Sequence, residues 1–444
     1  MIGQMMVTPI DSTIEGDKMS QAKDIVLIVG GGGREHAVIK ALAQSNEIAE
    51  LHAAPGNGGI SELAVCHPIS ATDIAAQVDL AQSLGCDFVV VTPDDPLALG
   101  LVDSLAEKGI KSFGPSAAAA RLESSKVFAK ELMNKLSIPT AAAAIFQDAE
   151  TALAGLEQCT FPLVIKAEGL AQGKGVIICQ NKESASRAIN DIMRVRKFGD
   201  AGDRILIEEF LTGPEVTAMC FCDGKHLLAL PSSRDHKRIG EGDTGENTGG
   251  MGVIAPVPEM SEALQQQIME TIFKPVIQEM ATNGTPFRGI LYAGLMLTED
   301  GPYVIEFNAR FGDPETQAVL PLVKNDLYTL LKACVDGDLH KHRLEVSDKA
   351  SCVVIMASGG YPGKYKTGCE ITGLDLAEDV FIYHAGTVKK DNTFFTAGGR
   401  VLAVSAQAKT LSEAIDKAYM EVDKISFDNC VFRRDIGKDC GAIL

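Results

Sequence analysis

The chain has no C-x-x-C pair, no dense basic stripe, and no apolar run near the roughly 18 to 20 residues that a membrane-spanning helix requires. Each absence removes a class of protein. The 11 cysteines are scattered and odd in number, with Cys220 and Cys222 one residue apart. Neither a disulfide framework nor a zinc site is indicated, and reduced cytosolic thiols are expected. Only 41 basic side chains stand against 59 acidic ones, a formal charge of -18, which argues against nucleic-acid binding because phosphate backbones demand clustered Lys and Arg. Residues 1–23 lack the basic start and apolar core of a secretory signal and read as a polar, frayed extension. No G-x-S-x-G elbow is present, and no cysteine sits in an activating motif. A cytoplasmic protein with neither nucleic acid nor membrane as partner is expected.

What remains is ample material for several cores. At 444 residues, with 46% hydrophobic and 23% charged side chains, the chain predicts two to four packed units. The apolar run Asp24 to Val29 stops at four glycines, Gly30 to Gly33, before a helical stretch over Arg34–Gln44. Strand and helix then alternate through Leu51–Ala54, Asp73–Leu84 and Phe88–Val91, the pattern of a doubly wound parallel sheet covered by helices on both faces. This first unit spans 24–123. From Ser124 the character changes to a helix near Lys126–Leu136, an alanine-rich connector, and two short strands, Leu163–Ala167 and Val176–Cys179. A glycine-rich loop joins those strands, so a lid-like module is expected over about 148–211, inside a larger α+β unit running over 124–340. That unit carries a long helix over Glu262–Thr282 and a glycine-rich polar loop, Ser233–Gly252, read as lacking regular structure. A final α+β unit, 341–444, predicts a mixed sheet with one or two helices.

Several constellations carry chemistry. Gly30 to Gly33 follows a strand and opens a helix, which suits an anion at the helix N-terminus. A dinucleotide site would also want a carboxylate at the end of the second strand, where Ala53-Ala54-Pro55 stands instead. In the loop Gly169–Gly175, Lys174 lies between Gly173 and Gly175, positioned to fold over a nucleotide; Walker spacing fails at Gly175. Lys166 sets a second cation at the end of the preceding strand. Strand alternation after Tyr303 places Glu306, Asn308 and Arg310 on one face, a carboxylate, an amide and a guanidinium fit for a hard cation plus an anionic ligand; a structural ion pair is the plainer alternative. Asp235 to Arg238 is a charge run in a loop, either solvated or substrate-binding. His36, His236 and His384 are acid-base candidates or satisfied structural histidines.

Read in order, G-G-G-R-E-H at 31–36, P-G-N-G-G at 55–59, K-A-E-G-L-A-Q-G-K-G-V at 166–176, D-H-K-R at 235–238, N-T-G-G-M-G at 247–252, E-F-N-A-R-F-G-D-P-E at 306–315 and H-A-G-T at 384–387 resemble the glycinamide ribonucleotide synthetase family, over about Ile25–Gly437. The resemblance implies an ATP-grasp ligase of purine biosynthesis that joins glycine to 5-phosphoribosylamine through a glycyl phosphate, releasing ADP and phosphate. It implies ATP and magnesium or manganese as cofactors, and a monomer or at most a weak dimer. By position, Lys126, Lys166, Gly173, Lys174, Gly175 and Lys237 contact ATP, with Glu208, Glu209, Leu211 and Glu215 framing adenine and ribose. Glu306 and Asn308 hold the metal. Gly32, Asn57, Gly58, Asp235, Arg310, Gly312 and Asp313 are assigned to substrates, and Arg310, Lys174 and Asp235 to catalysis.

The sequence departs from that pattern at Thr92-Pro93-Asp94-Asp95-Pro96, where the family reads G-P-E, at Glu168 for an aspartate, and at Glu246 for a proline. A biotin-carboxylase-like ligase is the nearest rival, disfavoured because the strand before E-x-N, Tyr292–Leu297, carries no carboxylate. A non-catalytic nucleotide sensor is disfavoured by the joint presence of Lys174, Glu306, Asn308 and Arg310.

Overall fold

A computed structural model describes residues 23–171 and 174–438. The expected frayed extension, Lys23 excepted, and Gly173 lie outside the described residues.

The first unit is a five-stranded parallel sheet of β1 (Asp24–Gly30), β2 (Ile48–Pro55), β3 (Val65–Cys66), β4 (Phe88–Val91) and β5 (Lys111–Phe113), in the order β3-β2-β1-β4-β5. Val26, Leu27, Ile28 and Val29 are all fully buried, because helices cover both faces; a central parallel strand therefore reads as one apolar run rather than an alternation. Asp73 caps the helix Ile74–Leu84 by accepting from the amide of Ala76, and Gly85 closes it with φ of 65°.

A small module follows with a core of its own around Ile165, Ile189 and Ile205. Its strands are β6 (Ala143–Phe146), β7 (Leu163–Ala167), β8 (Val176–Cys179) and β9 (Ile205–Glu209), antiparallel in the order β6-β9-β7-β8. The alanine-rich connector is thus in part a strand. Alanine is a poor strand former, yet β6 registers on β9 from Ala143 opposite Glu208 to Phe146 opposite Ile205, so tertiary pairing overrides local propensity.

The larger module opens with β10 (Glu215–Asp223) and β11 (Leu227–Ala229). The loop after them holds more regular structure than its composition predicts: β12 (Arg234–Asp235), a hairpin of β13 (Arg238–Gly240) and β14 (Thr244–Asn247), and β15 (Gly252–Ala255). The helix Glu262–Thr282 is interrupted by a π turn at Met269–Phe273. β16 (Arg288–Thr298) and β17 (Gly301–Asn308) complete the sheet β11-β10-β16-β17.

The C-terminal sheet is antiparallel rather than mixed. It runs β12-β15-β18, where β18 is Ala350–Ser358, then through strands Arg400–Ala408 and Phe381–His384. Two strands from the long loop therefore form its edge. Helix Leu411–Val422 covers one face with Ala414, Ala418 and Val422 buried. Among the described residues no helix is long and apolar enough to cross a membrane.

Candidate active site

A cavity of about 150 Å³ opens where the helix Lys126–Lys135, the lid strands and the end of β17 meet. Lys126, Lys166, Gly175, Glu208, Glu306, Asn308 and Arg310 all line it. Residues as far apart in sequence as 126 and 310 thus share one wall. The route to that wall differs from the sequence argument for Arg310: β17 ends at Asn308, so strand alternation places only Glu306 and Asn308. Arg310 arrives from the following bend and is held there by Glu123, whose Oε1 lies 2.8 Å from Nη2.

The wall is a network of opposed charges. Glu208 is buried, with Oε2 2.8 Å from Lys166 Nζ and Oε1 3.1 Å from Lys130 Nζ. Both carboxylate oxygens are therefore already engaged by cations. Lys166 also donates to the Ile305 carbonyl at 2.9 Å, and Lys130 donates to Thr140 Oγ1 at 2.8 Å and to the Ala141 carbonyl at 2.9 Å. Lys126 reaches across to the lid, donating to the Gly169 carbonyl at 3.1 Å. Burial opposes ionisation of Glu306, but Lys237, Lys166, Lys126 and Arg310 outweigh it and hold the carboxyl below its usual range. An ionised carboxylate beside the amide oxygen of Asn308 is a hard-oxygen donor set that fits a magnesium-class cation. Arg310 donates to Asn308 Oδ1 at 3.3 Å and to the Phe311 carbonyl at 3.2 Å, while its Nε is buried with no partner among the described residues.

A second cluster adjoins the first. Lys237 lies 2.7 Å from Glu215 Oε2, and burial, which would lower its pKa, is outweighed by Glu215 and Glu306, which raise it. Asp313 pairs with Arg400 at 3.0 Å and accepts from Gln317 at 2.8 Å. Burial would raise its pKa, yet Arg400 and Arg34 pull the carboxyl below its normal range. Asp235 behaves oppositely: burial and the neighbouring Glu315 hold its carboxyl well above that range against Lys237 and Arg400. Asp235 Oδ1 is buried with no partner among the described residues. Gly250, at φ of 105°, has no room for a side chain, since a Cβ there would sit 2.5 Å from that oxygen. Gly32 lies beside Asp313, its amide donating to Glu35 at 2.6 Å, and the Gly312 carbonyl accepts from the Thr316 hydroxyl at 2.6 Å.

The remaining candidates lie apart. Lys174 is exposed in the lid loop, and Glu209, Leu211 and Glu215 follow the link from β9 to β10 outside the cavity lining. Asn57 donates to the carbonyls of Gly31 at 2.9 Å and His384 at 2.8 Å, and Gly58 donates to the Thr387 carbonyl at 3.0 Å. Both therefore join the first unit to the C-terminal one. His36 and His384 sit in that joint with ring centroids 5.6 Å apart. Burial lowers the pKa of His36 to about 3 and that of His384 to about 4, so both are neutral.

Three family models cover nearly the whole described chain: the N domain of phosphoribosylglycinamide synthetase over residues 24–123, its ATP-grasp domain over 124–316 and its C domain over 351–439. The chain belongs to the phosphoribosylglycinamide synthetase family. It is an ATP-grasp ligase of purine biosynthesis. The phosphoribosylamine-glycine ligase of Caldanaerobacter subterraneus is 46% identical over 411 residues, which cover 93% of this chain and 99% of that protein. The human trifunctional purine biosynthetic protein adenosine-3 is also 46% identical over 418 residues, 93% of this chain but 41% of that protein. The crystal structure of the Thermotoga maritima phosphoribosylamine-glycine ligase matches with a TM-score of 0.80 at 33% identity, covering 93% of this chain and 100% of that one. A biotin carboxylase domain from Hydrogenobacter thermophilus, solved with ADP and magnesium, matches at 18% identity and a TM-score of 0.71, a likeness of fold alone.

In this synthetase-family fold, the sequence reading passed over Lys130, Glu123 and the hydrogen-bonded set Thr217, Tyr292 and Glu315, in which Tyr292 Oη is 3.0 Å from Thr217 Oγ1 and 2.8 Å from Glu315 Oε1. Lys130 had a signal, since it stands four residues after Lys126 and so shares its helix face. The Thr217, Tyr292 and Glu315 set had none, because its members come from separate elements.

Proposed function

We propose that the chain condenses glycine with 5-phosphoribosylamine at the expense of ATP, through a glycyl phosphate. In the first step a glycine carboxylate oxygen attacks the γ-phosphorus, and the bond to the ADP oxygen breaks. In the second, the amine nitrogen attacks the acyl carbon, inorganic phosphate leaves with the C–O bonding pair, and the amine gives up a proton. The observation that carries this reading is the convergence of Lys126, Lys166, Glu306, Asn308 and Arg310 on one cavity. Phosphoryl transfer asks chiefly for positioning and charge neutralisation, and this is the set that supplies both.

Glu306 and Asn308 would hold magnesium or manganese, which neutralises phosphate charge when bound. Lys126 and Lys166 orient the phosphates, with Gly173, Lys174 and Gly175 folding over them. Glu209, Leu211 and Glu215 frame adenine and ribose, and Glu208 contributes by fixing Lys166; Lys237 adds a cation on the ribose side. The unpartnered Nε of Arg310 takes an anionic group of the substrates, and the unpartnered Oδ1 of Asp235 takes an amine hydrogen. Gly32, Gly312 and Asp313 shape the same pocket, with Asn57 and Gly58 setting its outer edge through the joint to the C-terminal unit. The units act as 24–123, 124–340 and 341–444, with 148–211 as the lid that excludes water from the acyl phosphate.

The test is phosphate release from ATP measured with glycine omitted and with phosphoribosylamine omitted. Turnover is expected only with both present, and glycine labelled with oxygen-18 in its carboxylate is expected to pass label into the phosphate. Unlabelled phosphate would exclude the acyl phosphate, and turnover without either substrate would exclude the assignment.

A further inference from the structure

The β10–β11 hairpin closes at the end of the larger module remote from Glu215. β10 runs nine residues from Glu215 to Asp223, eight steps that at about 3.3 Å each separate the two by roughly 26 Å. Here Asp223 is buried and accepts from the amides of Lys225 at 2.9 Å, His226 at 2.6 Å and Leu339 at 3.2 Å. Its Oδ2 also lies 2.9 Å from Nδ1 of His226. A third group approaches from another element: His340, in the turn Leu339–Lys341, stacks obliquely on His226 with ring centroids 4.9 Å apart. One ligand atom from each of Asp223, His226 and His340 lies within 4.8 Å of the other two, in an order of increasing exposure.

We propose that Asp223, His226 and His340 bind one divalent cation of the zinc class, clamping the β10–β11 hairpin to the turn that follows the helix Leu327–Asp336. The donor set decides the class. Two imidazoles and a carboxylate suit zinc and its neighbours, whereas magnesium prefers an all-oxygen shell. The amides of Lys225, His226 and Leu339 fix the Asp223 carboxylate in place. Closing the hairpin needs only Asp223 and His226; the approach of His340 is the feature that a purely structural bond leaves unused. Donor atoms up to 4.8 Å apart need a small inward turn to reach zinc bonds of about 2.0 to 2.1 Å. His340 is exposed, so its ring turns at no cost in packing. Three protein ligands leave a position for water.

The experiment is titration of the metal-stripped full-length chain with Zn²⁺, followed calorimetrically, and with Co²⁺, followed by visible absorption. One ion per chain is expected, with a rise in Tm that excess Mg²⁺ does not reproduce. H226Q and H340Q are each expected to weaken Zn²⁺ binding by about tenfold or more and to leave ligase turnover with magnesium unchanged, and H340Q, which breaks no bond to Asp223, to keep the metal-free Tm. Another close histidine pair, His52 and His67, with nitrogens 3.1 Å apart, supplies a control: H67Q is expected to bind as the parent does. Absence of zinc uptake, uptake unaffected by H226Q or H340Q, or loss of uptake in H67Q instead would each overturn the proposal.

Discussion

The cavity floor and the glycine loop beside it carry their charges on opposite plans. On the floor, Lys130, Lys166 and Glu208 are buried and mutually paired, and Arg310 leans on Glu123. In the glycine loop between β7 and β8, Lys174 stands exposed outside the cavity lining. A buried charge without a partner costs several kcal/mol, whereas an exposed one costs little. The floor, into which the lid strands β7 and β9 lock Lys166 and Glu208, can therefore hold its geometry before any triphosphate arrives, whereas Lys174 commits no buried charge. Where desolvation occurs decides which charges are fixed.

That contrast can be broken from either side. Glu306→Ala, which removes the anion that the floor cations surround, is expected to lower turnover by about 10³-fold with the fold intact; a loss below tenfold would mean that the metal is held elsewhere. Glu208→Ala strands Lys130 and Lys166 in the interior, and urea denaturation is expected to show a loss of about 4 kcal/mol. An unchanged midpoint would show that water enters the floor. Lys174→Met is expected to reduce kcat by roughly 10²-fold while urea stability stays at the parent value, the reverse of the Glu208 pattern. The smallest effect concerns the joint between the first and last units. His36 and His384 have folded-state pKa values of about 3 and 4, lowered chiefly by burial, against about 6.5 unfolded. The unfolded chain therefore takes up protons first as pH falls, so stability is full above about pH 6.5 and declines below it. For His36 the loss is about 2 kcal/mol at pH 5. His36→Gln is expected to flatten that slope in urea titrations at successive pH values.

Much of this arrangement was legible beforehand, for physical reasons that also mark the limits. The lid strands could be bounded because Leu163–Ala167 and Val176–Cys179 are apolar runs interrupted by a glycine loop. β1 announced itself because burial on both faces demands continuous apolar residues. Glu306 and Asn308 were placed on one wall by period-two alternation, which needs nothing beyond a strand. Arg310 was grouped with them for a reason the backbone does not obey, because the strand has ended. β6 was hidden in alanines whose pairing is decided by β9, far along the chain. The hairpin within 238–247 was hidden by glycines that read as loop, although strands of three and four residues lie on either side of a turn. The partners of Glu208, and the approach of Leu339 and His340 to Asp223 and His226, are set by chain crossings that no local window contains.

The shared edge of the C-terminal sheet carries one further consequence. Because β12 holds Asp235 and hydrogen-bonds through β15 to β18, severing the polypeptide near residue 340 would not release an independent nucleotide-handling fragment. Strand β15, on which Asp235 is paired, would lose its own partner β18, and a lesion deep in the last hundred residues would be felt first as slack in substrate recognition.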